Sequence, residues 1–128
     1  MTDNASAFQL IGRYFAAINS DDWDEVRQVY AEDGVYQGSG GKPQQGIDSI
    51  VAYYPKLFSA WSVHTDTPTT ITIGSGTARA DVVFTGTTRD GRDVRFDAVD
   101  DFVLRGERLA SVTTTYDLDA VRALMSGQ

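Results

Sequence analysis

The acidic side chain best placed for chemistry is Asp100, in a segment from Asp93 to Leu104 that has the composition of a β-strand. Side chains alternate between two faces along a strand, so Asp100 shares its face with apolar side chains only. These neighbours are Val94, Phe96, Ala98, Phe102 and Leu104. Burial among them disfavours the charged carboxylate and raises its pKa, which favours a protonated acid near neutral pH. Such an acid donates a hydrogen bond that would stabilise a carbonyl oxygen as it becomes an enolate.

Tyr14 is a second candidate donor to the same oxygen. Ala7, Ile11, Tyr14 and Ile18 are spaced four, three and four residues apart, which is typical of a helix with one buried face. Structural roles remain open beside the chemical one. Asp100 could bond a main-chain amide or a buried partner, and Tyr14 could be a core tyrosine whose hydroxyl meets a carbonyl. The chemical interpretation therefore requires both side chains to reach one cavity.

The group that would move a proton is less clear from the sequence. His64 is the sole histidine, and histidine side chains commonly serve in acid–base catalysis, but a lone histidine is more often structural. Asp66 has the same strand parity as His64 and could share its face, or it could be a turn residue before Pro68. Asp117 is expected to cap a C-terminal helix. We take His64 as the candidate for proton transfer, with water as the alternative.

Composition excludes several classes of function. The chain of 128 residues is expected to form one domain, 1–128. Its formal net charge of -7 would repel nucleic acid and anionic lipid surfaces. Absence of cysteine, of an export signal and of an apolar run long enough to span a membrane favours a cytoplasmic protein. Neither metal-ligand spacing nor a phosphate-binding loop is present, so we expect no metal and no cofactor.

The chain divides into a helical half and a strand-rich half. Helical spacing predicts helices from Ser6 to Asn19, from a cap at Asp22 to near Gly34, and from Ile47 to Trp61, the last kinked at Pro55. A brief strand is expected from Val35 to Gln37. Alternation then predicts strands from Asp81 to Thr88, Asp93 to Leu104 and Leu109 to Tyr116.

This order predicts an α+β domain in which three N-terminal helices pack on a bent antiparallel sheet that encloses a cone-shaped cavity. An apolar small molecule would occupy that cavity. We predict that aromatic side chains form its walls. They are Tyr54, Phe58, Trp61, Phe84, Phe96, Phe102 and Tyr116.

Four segments resemble the ketosteroid isomerase family of the nuclear transport factor 2-like superfamily, including its polyketide cyclase branch. They are RYFAAINSDDWDEV, VYAEDGVYQGSGGKPQQGIDSIVAYY, FDAVDDFVL and LASVTTTYD. The resemblance implies a cone-shaped roll that dimerises through the outer surface of its sheet. It also implies that Tyr14 and Asp100 are the family's pair of oxyanion donors, and that Tyr54 is a second tyrosine behind Tyr14.

The sequence departs from the family where its isomerases carry a proton-shuttling aspartate, just after the first strand. Here the segment reads VYQGSG, the matching position is Gly38 or a near neighbour, and no carboxylate lies between Gly34 and Asp48. An isomerase needs a base within hydrogen-bond reach of the proton that it moves. The departure leaves that base unassigned.

Three functions therefore remain. The first is a cofactor-independent isomerase or polyketide cyclase that polarises the carbonyl of an apolar oxo compound through Tyr14 and Asp100. The second is an epoxide hydrolase or cyclase that uses Asp100 as its acid. The third is a ligand-binding or assembly module of the same fold without turnover, which the missing carboxylate at Gly38 favours.

Overall fold

The computed structural model describes residues 3–127. Within them lie four helices, which are α1 (Asn4–Asn19), α2 (Trp23–Val29), α3 (Ile47–Phe58) and α4 (Leu118–Met125). The six strands there are β1 (Tyr30–Gly38), β2 (Gln44–Gln45), β3 (Trp61–Ile73), β4 (Thr77–Thr88), β5 (Asp93–Arg105) and β6 (Arg108–Thr115). None of the described helices is both long and apolar enough to cross a membrane.

The strands form one curved, unclosed sheet in the order β2-β1-β6-β5-β4-β3. The predicted α+β class is confirmed, and four of the five strand pairs are antiparallel as predicted. One pair differs from the prediction. β1 pairs with β6 in parallel, with Tyr36 opposite Val112 and Gly38 opposite Thr114. No hairpin joins these two strands, because α3 and four further strands lie between them in the chain. Parallel neighbours need such a long connection, so turn signals in the sequence could not identify this pair.

Two helix ends differ from the prediction. α2 ends at Val29 and not near Gly34, because Tyr30 adopts an extended conformation and pairs with Leu109 of β6. The predicted short strand therefore extends over all of β1. α3 ends at Phe58, and Trp61 begins β3 instead of closing the helix. At the C-terminus Asp117 caps α4, as predicted.

One face of the sheet carries the core. Alternate residues of β4 from Ala78 to Thr88 are buried, as are those of β5 from Val94 to Leu104 except the half-buried Phe96, in the predicted period of two. Tyr14 of α1 and Ile50 of α3 are also almost fully buried and belong to the same cluster. The opposite face carries Val103, whose side chain is 46% exposed. Dimerisation through that outer face stays a prediction.

Gly86 shapes the end of β4 that lies against Trp61. A Cβ atom on Gly86 would lie 2.8 Å from Trp61 Cε3, 2.8 Å from the Val63 carbonyl oxygen and 2.9 Å from Phe84 Cε1. These contacts are too short, and the main-chain oxygen cannot move away. We expect Gly86→Ala to lower the free energy of unfolding by about 2 kcal/mol, measured by urea denaturation.

Gly12→Ala is the matched control for Gly86→Ala. Gly12 lies in α1, and a Cβ atom there would meet nothing within 4 Å. Alanine should therefore stabilise the helix by up to about 1 kcal/mol. Equal stabilities of the two variants would show that the sheet tolerates a side chain at Gly86.

Candidate functional site

A cavity of about 230 Å³ lies between the sheet and helices α1, α3 and α4. About half of the residues that line it are aromatic. The aromatic lining consists of Tyr14, Tyr36, Tyr53, Tyr54, Phe58, Trp61, Phe84, Phe96 and Tyr116. Asp66 and Asp100 also line it, and no lysine, arginine or histidine of the described chain does. The cavity is therefore apolar on most of its surface and carries two carboxyl groups without a cationic partner.

Eight of the ten side chains predicted for the site line this cavity, and Phe102 and His64 do not. Phe102 is 1% exposed and packs edge-to-face on Tyr14, with ring centroids 5.5 Å apart, and on Phe15 at 6.1 Å. It lies on the predicted face of β5, but α1 covers it. Phe102 therefore supports Tyr14 and is not placed to touch a ligand, which corrects the prediction.

His64 lies behind the cavity wall. Its ring stacks on Phe58 with centroids 3.9 Å apart and planes 5° apart, and Phe58 separates it from the cavity. His64 Nε2 lies 2.7 Å from Asp21 Oδ1, and the buried Nδ1 has no hydrogen-bond partner among the described residues. The structure thus places His64 out of reach of a ligand in the cavity, contrary to the prediction.

Three tyrosines form a buried hydrogen-bonded chain. The Tyr54 hydroxyl oxygen lies 2.8 Å from that of Tyr14 and 2.8 Å from that of Tyr30. Burial raises the pKa of all three well above the usual value for tyrosine, so all three stay protonated. Three hydroxyl protons serve two hydrogen bonds, which leaves one proton to donate elsewhere. Tyr14 and Tyr54 line the cavity, so this spare donor can face a ligand.

Asp100 ends a second chain of hydroxyl groups. Tyr36 donates to Thr114 Oγ1 at 3.1 Å, and Thr114 donates to Asp100 Oδ1 at 2.5 Å. Asp100 is 4% exposed, and this burial raises its pKa to about 6, although the Thr114 hydrogen bond acts to lower it. The predicted rise in the pKa is confirmed. Asp100 and Gly38 lie on either side of Thr114 in the sheet.

Asp66 is the cavity residue that sequence analysis considered and set aside. Its main-chain N–H donates to Asn19 Oδ1 at 2.8 Å, and its carbonyl oxygen accepts from Asn19 Nδ2 at 2.9 Å. Burial, and then the nearby Asp100, raise the pKa of Asp66 to about 7. Within residues 3–127 no group donates a hydrogen bond to its carboxylate. Asp66 lies two residues after His64, so the alternation of side chains along the strand puts both on the same face. This signal could have identified Asp66 as a cavity residue.

Tyr30, Tyr36 and Thr114 were also missed. Tyr30 has helical spacing after Trp23 and was assigned to the second helix, whereas it begins β1. Tyr36 and Thr114 come together only through the parallel pairing of β1 with β6. No group of three or more potential ligands in the described part of the chain could hold a metal ion.

The fold and the cavity define an α+β protein whose helices cover one face of a six-stranded curved sheet. Residues 11–112 match the model of the SnoaL-like domain, and the chain belongs to that family. The predicted resemblance to ketosteroid isomerase-like and polyketide cyclase-like proteins is confirmed. A comparison with curated proteins gives no significant match.

Solved structures with the same fold are distant in sequence. A proposed polyketide cyclase from Xanthomonas campestris pv. campestris is 18% identical with a TM-score of 0.89, over 97% of this chain and 99% of that one. A proposed SnoaL-like polyketide cyclase from Jannaschia sp. CCS1 is 16% identical with a TM-score of 0.88, over 100% and 99%. A ketosteroid isomerase-like fold from Catenulispora acidiphila, in complex with trimethylamine, is 18% identical with a TM-score of 0.84, over 91% and 92%.

Proposed function

We propose that the protein is a cofactor-independent acid–base enzyme that acts on an apolar oxo compound, as an isomerase or a polyketide cyclase. Tyr14 and Asp100 donate hydrogen bonds to the carbonyl oxygen of the substrate. The observation that carries the proposal is the buried tyrosine chain, whose spare proton can face the cavity that Asp100 also lines. Membership of the SnoaL-like family supports the same class of reaction.

The tyrosine chain makes Tyr14 a stronger donor than an isolated tyrosine. If Tyr30 donates to Tyr54 and Tyr54 donates to Tyr14, each hydrogen bond polarises the next, and the Tyr14 proton points to the ligand. Such fixed donors stabilise an enolate strongly in a site that excludes water, because they need no reorganisation during the reaction.

Asp100 complements Tyr14 when it carries a proton. Thr114 occupies Oδ1, so the other carboxyl oxygen can hold the proton and donate it. A pKa of about 6 makes this protonated form a minority at pH 7 before a substrate binds. An enolate oxygen nearby would favour it, because a second negative charge disfavours the carboxylate.

A phenolate titration tests the donor pair. 4-Nitrophenolate places a negative oxygen where the enolate oxygen would lie, and its absorbance changes on binding. We expect Tyr14→Phe to weaken phenolate binding about 10- to 100-fold and Asp100→Leu to weaken it about 10-fold, since each variant loses a hydrogen-bond donor to a charged oxygen. Tyr53→Phe removes a cavity hydroxyl outside the tyrosine chain and should cost less. No phenolate binding by the intact protein would favour the assembly module instead.

Epoxide opening is the second candidate function, because two carboxyl groups line one cavity. One of them could protonate the epoxide oxygen while the other activates a water molecule. Assaying a steroid enone precursor, a poly-β-ketone and an epoxide side by side separates the three reactions. Turnover of the epoxide alone would select this second function.

A further inference from the structure

The proposed function needs a group that takes a proton from carbon, and Gly38 cannot provide it. We infer that Asp66 on β3 is this base, which accepts the proton from the substrate and returns it, an inference that rests on the proposed function. Asp66 and Asp100 are the two carboxyl groups in the described lining of the cavity. Asp100 is engaged by Thr114, whereas no described residue hydrogen-bonds the Asp66 carboxylate.

The fold fixes Asp66 in position. Asn19 of α1 holds the main chain of Asp66 through two hydrogen bonds, one to its N–H and one to its carbonyl oxygen. On the sheet, Asp66 lies opposite Phe84, and Phe84 lies opposite Phe96. Both aromatic side chains line the cavity beside Asp66. The carboxylate therefore stands on a rigid strand, next to the apolar wall against which a substrate would pack.

The surroundings of Asp66 suit a base near neutral pH. The titratable groups that line the cavity with it are Asp100 and the tyrosines Tyr14, Tyr36, Tyr53, Tyr54 and Tyr116. All of them are acids, so no cation within the described lining stabilises the carboxylate. A base whose pKa lies near the working pH is ionised in a large fraction and still binds a proton well. Asp66, with a pKa raised to about 7, meets both conditions.

The proton transfer balances within the cavity. The carbon–hydrogen bond beside the carbonyl group breaks, its proton goes to the Asp66 carboxylate, and its electron pair forms the enolate. Tyr14 and Asp100 hold the negative oxygen. In an isomerisation, Asp66 then returns the same proton to another carbon. In a cyclisation, the enolate carbon forms a bond to the carbon of a second carbonyl group, whose π electrons move to its oxygen, and that alkoxide takes the proton from Asp66. No oxidant or reductant is consumed.

The Kemp elimination of 5-nitrobenzisoxazole tests this base without the natural substrate. The carboxylate removes the proton from the ring carbon, the nitrogen–oxygen bond breaks, and a coloured cyanophenolate forms. We expect the rate of the intact protein to rise with pH through about 7, as Asp66 ionises. Asp66→Asn should lower the rate about 100-fold or more, and Asp66→Glu, which keeps a carboxylate, should restore part of it. Asp97→Asn changes an exposed aspartate on the outer face of β5 and should leave the rate unchanged.

Asp100→Asn separates a direct role of Asp66 from a structural one. The charge of Asp100 raises the pKa of Asp66, so its removal should move the midpoint of the rate profile to lower pH. A wild-type rate in Asp66→Asn, an intact protein no faster than acetate, or an unmoved midpoint in Asp100→Asn would each overturn the inference. Phenolate binding does not require Asp66. Phenolate binding without Kemp elimination would therefore refute the base alone, whereas loss of phenolate binding would refute the proposed function.

Discussion

Tyr54→Phe is expected to lower the free energy of unfolding by about 3 kcal/mol, because a single hydroxyl group holds the tyrosine chain together. That hydroxyl bonds both Tyr14 and Tyr30, and all three side chains are at most 1% exposed. Phenylalanine at position 54 leaves two buried hydroxyl groups without their partner, and each then bears its desolvation cost. Urea denaturation at constant pH measures the loss. Phenolate binding should weaken in the same variant, because Tyr14 is no longer polarised.

Tyr30→Phe is the matched control, because Tyr30 lies at the end of the chain. It removes one hydrogen bond and leaves the Tyr14–Tyr54 bond in place. We expect a loss of about 1 kcal/mol and a smaller effect on phenolate binding. If the two variants lose the same stability, the hydroxyl groups of Tyr14 and Tyr30 find other partners, and the tyrosine chain does not direct the donor.

The spacing of apolar residues correctly predicted which face of a helix or strand is buried. The face of α1 that carries Tyr14 and the face of β5 that carries Asp100 are both buried as their spacing indicated. Asp100 was identified because a single acid stands in an apolar row. That signal needs only the period of two and no knowledge of tertiary packing.

Local periodicity could not predict which parts of the concave face the helices cover. His64 and Asp66 keep their predicted strand parity, since they lie opposite Gly86 and Phe84 of β4. Phe58 from α3 stacks on His64 and leaves Asp66 open to the cavity. Phe102 is covered by α1 in the same way. A residue on this face lines the cavity or belongs to the packed core according to whether a helix covers it, and that helix is distant in the sequence.

The chain of hydroxyl groups that ends at Asp100 could not be predicted from the sequence either, because its members come together across the parallel strand pair. Tyr36 and Thr114 are 78 residues apart in the chain, and their hydroxyl groups bond only because β1 lies beside β6. The same pairing places Gly38 next to Thr114, near Asp100. A carboxylate at position 38 would lie two strands away from Asp100, on the other side of β6, whereas Asp66 lies on the edge strand β3.

Raising the pH from about 4 to about 8 should lower the free energy of unfolding by about 4 kcal/mol, through the two cavity carboxyl groups. Their pKa values of about 7 for Asp66 and about 6 for Asp100 lie above the ordinary value of 3.8. Between 3.8 and these values the folded protein binds more protons than the unfolded chain, so stability is greatest at the low end and falls as the carboxyl groups ionise. The full shifts imply more, but Asp66 is partly exposed, so solvent screening reduces its share. Urea denaturation across this pH range measures the slope.

Asp66→Asn isolates the contribution of one carboxyl group to this slope. The variant cannot ionise at position 66, so above pH 7 it should be more stable than the intact protein by about 2 kcal/mol, and near pH 4 the two should be equal. Asp97→Asn, on the exposed face of β5, should keep the slope of the intact protein. A variant that gains no stability at high pH would mean that Asp66 is ionised at no cost in the folded state. The same result would also mean that the pKa of Asp66 is not raised to near neutrality. Burial of the carboxylate causes both effects, because it disfavours the charged form in the folded protein and thereby increases the affinity for a proton.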